Sequence, residues 1–257
     1  VHIQFDPNTI KSITRQDNGK SISLLEIEPE EIMLFFGRER ESRRLVSIQK
    51  VPEHFIHAVL AAEDHRFFQH WGIDPRGILR ALITNLQHGA IRQGGSTITQ
   101  QLAKNYFLTP DRNLVRKLRE ALLAIVMEFK YSKHEILEIY LNEIYLGQKG
   151  SVAVNGIGEA AYFYFGKPVQ ELSFSEAATI AGLIKAPNHY SPYIDKTACR
   201  SRRNSILKVM QSKGWISDAQ LQAHTKTPVI TAGYTIYGKQ APYFMDYLAQ
   251  QLTTLPT

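Results

Sequence analysis

Apolar positions along this chain change their period twice. Over residues 1–50 they alternate with polar ones in short runs, as in Ser21-Ile22-Ser23-Leu24 and Leu45-Val46-Ser47-Ile48. Period-two alternation interrupted by turn residues at Asn18-Gly19 and Gly37 predicts two or three short strands. From Val51 to about Gly214 the spacing turns helical, and strand-like runs return at Val229-Ile230-Thr231 and Tyr234-Thr235-Ile236. The expected fold class is mainly α, one helical body with a small N-terminal β segment. The expected division is a β-rich linker over 1–50, a helical domain over 51–225 and a second linker over 226–257.

Helix punctuation sharpens this outline. Asp74-Pro75 puts a capping side chain ahead of proline at the first helical position, and Gly89 supplies a stop. Ile78, Leu79, Leu82, Ile83 and Leu86 form one apolar stripe between them. Ser132-Lys133-His134-Glu135 and Ser173-Phe174-Ser175-Glu176 read as capping boxes, with Ser217-Asp218-Ala219-Gln220 a weaker third. The first opens a helix expected to run to Gly147, apolar nearly all round, with Asn142 and Tyr145 as its site-facing residues. Asn113 is the expected cap of a helix whose stripe is Leu114, Leu118, Ala121, Leu122, Ile125 and Phe129. Gly166 suits the left-handed position after a packed helix end.

Composition narrows the class. Hydrophobic residues make up 44% and charged residues 21%, an ordinary globular balance. No apolar run reaches the roughly 18 residues that a spanning helix needs. The first residues lack the basic start and apolar stretch of a signal peptide, and a start at Val rather than Met is expected of a fragment or a processed chain. Cys199 is the only cysteine, which excludes an internal disulfide. Lys and Arg outnumber Asp and Glu by 30 to 24, a net charge of +6 that suits a membrane surface, a phosphate-bearing substrate or nucleic acid. No nucleic-acid reader motif accompanies the charge, so nucleic acid is not an expected partner.

Three segments carry candidate chemistry. Glu63-Asp64-His65-Arg66-Phe67-Phe68-Gln69-His70-Trp71-Gly72 sets two carboxylates beside aromatic rings, where lost hydration raises a carboxyl pKa and makes it a better proton acceptor; the alternative is a solvated helix end. In Gly94-Gly95-Ser96-Thr97-Ile98-Thr99-Gln100-Gln101-Leu102-Ala103-Lys104-Asn105, a double glycine runs into a hydroxyl-rich helix start. Free backbone N–H groups there favour a phosphate, with Ser96, Thr97, Gln101 and Lys104 as further donors; the alternative is an ordinary capped helix. In Arg112–Glu120, a spacing of 100° per residue puts Arg116, Lys117 and Glu120 opposite the apolar stripe. The alternative there is a pair of intrahelical ion pairs worth a few tenths of a kcal/mol.

Together these strings resemble glycosyltransferase family 51, the peptidoglycan polymerase domain of class A penicillin-binding proteins. The resemblance covers about residues 50 to 190 and includes Glu63–Gly72, Gly94–Gln101, Lys104-Asn105, Arg116-Lys117-x-x-Glu120, Ile136–Gly147 and Tyr164–Lys167. It implies a lysozyme-like, two-lobed helical fold at the cytoplasmic (inner) membrane, with the catalytic domain on the periplasmic or extracellular face. It implies lipid II and the growing glycan strand as substrates, moenomycin-type inhibitors, and a transmembrane helix and transpeptidase domain elsewhere in the full protein. Glu63 corresponds to the family's first essential carboxylate and Glu120 to its second. The substrate-binding set expected with them is Asp64, Phe67, His70, Ser96, Thr97, Gln101, Lys104, Asn105, Arg112, Arg116, Lys117 and Tyr145. Glu120 either orients the cations or helps hold a divalent cation (Mg2+ or Mn2+) at the pyrophosphate; no organic cofactor is expected. Trp71, Ile73 and the Ile78–Leu86 stripe, interleaved with Arg76 and Arg80, face either a membrane or the protein's own core.

Three rivals remain at this level. A lysozyme-like hydrolase shares a catalytic Glu but has little use for clustered cations. A non-catalytic binding module gains nothing from Glu63 and Glu120. A zinc site at His54 and His57, or at His65 and His70, lacks the His-Glu-x-x-His spacing.

Overall fold

The structure, a computed structural model, describes residues 2–6, 9–14, 20–21, 41–42, 44–88, 94–107, 114–149 and 152–233. The predicted turns at Asn18-Gly19 and Gly37, the stop at Gly89, Arg112, the cap Asn113 and the run Tyr234–Ile236 lie outside those residues. Two units are distinguished. The first contains the antiparallel pair β1 (His2–Asp6) and β2 (Thr9–Thr14), bulged between Gln4 and Phe5. Ser21 bridges to Thr14, and Ile22–Leu24 lie outside the described residues.

The second unit, Phe36–Ile236, is mainly α. Its elements run β3 (Glu41–Ser42), α1 (Glu53–Glu63), α2 (Pro75–His88), α3 (Ile98–Phe107), α4 (Leu114–Lys130), α5 (Lys133–Glu143), β4 (Tyr145–Lys149), β5 (Val152–Asn155), α6 (Gly156–Phe165), α7 (Phe174–Leu183), α8 (Pro187–Tyr190), α9 (Lys196–Ser212) and α10 (Asp218–Lys226). β5 is the middle of a small sheet, parallel to β3 and antiparallel to β4. The core is built where α1, α7 and α9 pack on one another, through Phe55, Ala58 and Val59, Ala177 to Ala181, and Ile206, Leu207 and Met210. Alanines along α7 let the three axes approach closely. α3 joins this core through Ile98, Leu102 and Ala103 and packs α4 on its other side.

All three capping boxes form, at Ser132/Glu135, Ser173/Glu176 and Ser217/Gln220. Gly166 closes α6 at φ 69°, the left-handed position expected of it.

Other expectations are corrected. The helix opened by Ser132 stops at Glu143, and Tyr145–Gly147 form a strand instead. Asn142 stays bonded to its own helix, its Nδ2 donating to Glu138 O at 2.9 Å, and the same amide clamps the backbone of Val46, accepting from its N–H at 2.8 Å and donating to its carbonyl at 2.9 Å. Asn142 is therefore a structural bracket. The same contact explains why Leu45–Ile48 is not a strand. Glu138 accepts from Ile48 N–H at 2.7 Å, and Ile48 opens a 3-10 turn. Among the described residues, Val229–Thr231 pairs with no strand.

The structure also decides which way two helices face, which the sequence left open. The stripe of α2 points outward, with Leu86 73% exposed. α4 is turned the same way: Leu118, Leu122, Val126 and Phe129 are exposed, while Glu120, Ala124 and Met127 are buried. Its largest apolar side chains face out, while Glu120 faces in beside Ala124 and Met127.

Candidate active site

α1 ends at Glu63 because Asp64 leaves helical geometry, at φ −156° and ψ 75°. Asp64 then turns inward. Its Oδ2 accepts from His70 Nε2 at 2.9 Å and from Ile98 N–H at 3.2 Å, a carboxylate set at the N-terminus of α3. That stitch fixes the end of α1 against the start of α3 and leaves Glu63 to meet α3 further along.

It does so at Gln101. Gln101 Nε2 donates to Glu63 Oε2 at 2.9 Å, and Tyr140 Oη donates to Gln101 Oε1 at 3.1 Å. A carboxylate only accepts, so the pair of bonds settles which end of the amide faces Glu63. Tyr140 is fully buried, and burial, reinforced by Glu63 and Asp64, pushes its phenol well above the usual range. It stays a donor. Loss of hydration likewise lifts the Glu63 carboxyl above the ordinary carboxylate range. The Gln101 bond and the positive charges of Arg202 and Lys185 pull it partly back, and Asp64 adds to the rise. A carboxylate tuned this way is a base matched to a hydroxyl proton at near-neutral pH.

The second carboxylate is tied to the segment just ahead of α3. Glu120 is only 2% exposed and is held between Lys117 Nζ at 2.7 Å and Arg116 Nε at 3.4 Å. Lys117 Nζ also donates to Ser96 Oγ at 2.6 Å. Thus α3 is the spacer of the site, with the cation-bound Glu120 at its start and Glu63 at Gln101. Lys104 and Asn105, three and four residues past Gln101, lie on the Gln101 face and are exposed.

The remaining expected residues divide. Phe67 is buried beneath the Lys133 ammonium, 4.3 Å from its ring centroid. His70 is buried on Asp64. Tyr145 opens β4, half-exposed. The expected cradle of free N–H groups at the start of α3 is corrected: Thr97 N–H donates to Gln100 Oε1, Ile98 N–H to Asp64 and Gln100 N–H to Thr97 Oγ1. Thr97 Oγ1 in turn donates to Gly72 O at 2.6 Å. This loop is a self-capped helix start, and its positive charge comes from side chains. Tyr140, Lys185 and Arg202 were missed. A lone hydroxyl in the apolar run Ile139-Tyr140-Leu141 was the available signal for the first; the two cations sit among residues of ordinary helical pattern.

A transglycosylase family model matches residues 29–211. Penicillin-binding protein 1B of Vibrio cholerae is 38% identical over 247 residues, covering 96% of this chain and 32% of that protein. Penicillin-binding protein 1A of Aquifex aeolicus is 48% identical over 80% of this chain and 28% of its own length, and that of Escherichia coli 43% identical over 82% and 25%. The chain thus spans between a quarter and a third of the length of these relatives. The 2.6 Å crystal structure of penicillin-binding protein 1A from Haemophilus influenzae shares the fold, with a TM-score of 0.50 at 24% identity over 83% of this chain and 22% of that one. The matched span begins ahead of α1 and ends within α9, taking in every element that fixes Glu63 and Glu120, and the chain belongs to the transglycosylase family, glycosyltransferase family 51.

Proposed function

We propose that this domain polymerises lipid II into β-1,4-linked glycan by a single inverting displacement. The observation that carries this reading is the pairing along α3 of a desolvated, amide-oriented carboxylate, Glu63 on Gln101, with the cations Arg116 and Lys117, which Glu120 holds and of which Lys117 is tied to Ser96 ahead of the same helix. Glu63 takes the proton from the acceptor sugar's 4-hydroxyl as that oxygen attacks the donor's anomeric carbon. The bond to undecaprenyl pyrophosphate breaks with inversion, and the leaving group departs as an anion that needs no protonated acid. It needs positive charge where negative charge develops, which the cations supply. A hydrolase of ordinary glycosidic bonds would instead require a proton donor and no such cluster.

Glu120 acts by holding Arg116 and Lys117 in place. A hard divalent cation takes about six oxygen ligands, whereas Glu120 Oε2 is held by Lys117 and only its Oε1, 3.4 Å from Arg116 Nε, is left without a hydrogen bond among the described residues. Among the described residues no group of three or more His, Cys, Asp or Glu gathers to hold a metal. These donors do not fit a resident divalent ion, and any such ion would come with the pyrophosphate as part of the substrate.

The outward apolar faces of α2 and α4 support action at a membrane surface, the cytoplasmic membrane with the site on its outer side. No helix among the described residues is long and apolar enough to cross it. Moenomycin-type phosphoglycolipids, which present a sugar on a phosphate-linked lipid, offer the same cations an equivalent anion. Labelled lipid II in detergent tests the reading: the chain builds glycan ladders, and Glu63→Gln builds almost none. Comparable product from the variant removes Glu63 from the role of base.

A further inference from the structure

Beside the turn that follows α1 lies a cavity of about 390 Å3, lined by His65, Arg66, Gln69, Arg80, Lys213 and Trp215. The lining comes from that turn, from α2 and from the segment after α9. None of these residues has a part in the chemistry proposed for Glu63.

The charges there are unbalanced. Arg66, Arg80 and Lys213 supply three cations. Facing them are Asp74, whose Oδ2 is 3.4 Å from Arg66 Nε, and Asp64, whose Oδ2 is already spent on His70 and Ile98. Arg66 Nε is buried without a hydrogen-bond partner among the described residues. Arg80 Nη1 lies 3.0 Å from His65 Nε2, so the imidazole accepts there and is neutral. Burial, and then the charges of Arg80 and Lys213, press the His65 pKa down against the opposing pull of Asp64 and Asp74. Cations gathered around a polar cavity with one available carboxylate repel each other until an anion enters.

We propose that this cavity is a phosphate-binding site separate from the site at Glu63, and that its ligand is the phosphodiester of an anionic lipid headgroup. The position of Arg80 selects the lipid. At 100° per residue, Arg76 and Arg80 form one edge of the outward apolar face of α2, beside Ile83 and Leu79. A helix lying with that face in the acyl boundary carries this edge, and the cavity behind it, at headgroup depth. The proposal rests on the reading of α2 as membrane-facing.

Two measurements on the 257-residue chain decide it. The first follows the His65 imidazole by NMR during titration with dihexanoyl phosphatidylglycerol below its micellar concentration, with dihexanoyl phosphatidylcholine, or with inorganic phosphate. The second is sedimentation with vesicles of phosphatidylcholine, alone or with phosphatidylglycerol. Arg80 and Lys213 lie at the surface, so the double variant R80Q/K213Q keeps the fold. The expected result is a His65 shift with the glycerol lipid and not the choline lipid, absent in the double variant. With it comes a roughly tenfold loss of binding to anionic vesicles and none to neutral ones. A His65 shift with inorganic phosphate, together with equal vesicle binding by both proteins, overturns the lipid assignment in favour of free phosphate. No shift with any anion overturns the site itself. Failure of the unmodified chain to bind either vesicle overturns the membrane reading of α2 and α4, and the His65 titration still decides the cavity.

Discussion

Gln101 Nε2 lies 2.9 Å from Glu63 Oε2, and through that bond α3 governs the direction and the basicity of the last side chain of α1. The bond is directional only because Tyr140 occupies the other end of the amide. Removing the phenol oxygen lets the amide turn its carbonyl towards Glu63, which a carboxylate cannot accept. Tyr140→Phe is therefore expected to lower kcat roughly fivefold, the value of one hydrogen bond of about 1 kcal/mol, with KM nearly unchanged. Gln101→Ala should cost at least as much, and Tyr140→Phe should add nothing in its background. Full additivity in this double-mutant cycle would show that Tyr140 only fills space.

The same bond sets a pH dependence. Glu63 accepts a proton only when ionised, so kcat falls as pH drops through its pKa, which burial holds above the ordinary carboxylate range. The Gln101 bond favours the ionised form, so Gln101→Ala moves the acidic limb of the profile to higher pH. A limb that stays in place, or moves down, contradicts this assignment. Among charged neighbours, Arg202 and Lys185 oppose the rise and Asp64 promotes it, so Lys185→Met should move the limb up as well.

An ionised carboxylate whose folded pKa is raised destabilises the fold at pH values above that pKa, and this penalty is absent where the group is protonated in both states. Glu63→Gln should therefore raise Tm at pH 7 by roughly 2 °C while lowering kcat by about a thousandfold. The Tm advantage should vanish as pH falls below the ordinary carboxylate range. A variant that loses both activity and stability would mark Glu63 as structural.

How much of this was legible before the fold was known follows from what each residue's neighbours are. Capping boxes at Ser132, Ser173 and Ser217 are local, made within four residues, and they appear as read. Glu63, Gln101 and Glu120 were legible as residue types at their spacing. Tyr140 was not, because its role depends on a contact 39 residues away and its helix reads as core. The end of α5 was misread as well: the backbone turns extended at Ile144 and Tyr145 pairs with Asn155, a partner that helical periodicity does not show. On α4 the period was right, and the sequence left the direction of the stripe open. An apolar stripe faces whatever apolar medium is present, and periodicity alone does not say whether that is the core or a lipid.

The outward stripe of α4 makes a sharp contrast in stability. Leu122 is 56% exposed and Phe129 76% exposed, so replacing both with Gln removes little buried area and should change stability by no more than about 0.5 kcal/mol. Leu102→Ala, on the buried face of α3, should cost about 2–5 kcal/mol. Vesicle binding should order the same variants oppositely, falling with the α4 pair and holding in any folded fraction of Leu102→Ala. Equal destabilisation by both would place the α4 stripe inside the fold.

Glu120 offers the last test, because its two possible losses are unequal. Glu120→Gln removes the buried charge and leaves Arg116 and Lys117 with side chains 20% and 45% exposed, able to reach water. The double variant R116M/K117M does the reverse and leaves a carboxylate, its side chain 3% exposed, without its ion partners. An uncompensated buried charge costs several kcal/mol before relaxation, so the double variant should lose roughly 2–3 kcal/mol and Glu120→Gln about 1 or less. Both should depress polymerisation, the first by removing the cations and the second by releasing them. If Glu120→Gln also destroyed a requirement for added Mg2+, Glu120 would be a metal ligand. If it only raises KM for the pyrophosphate substrate, its part is to hold Arg116 and Lys117 where the leaving group departs.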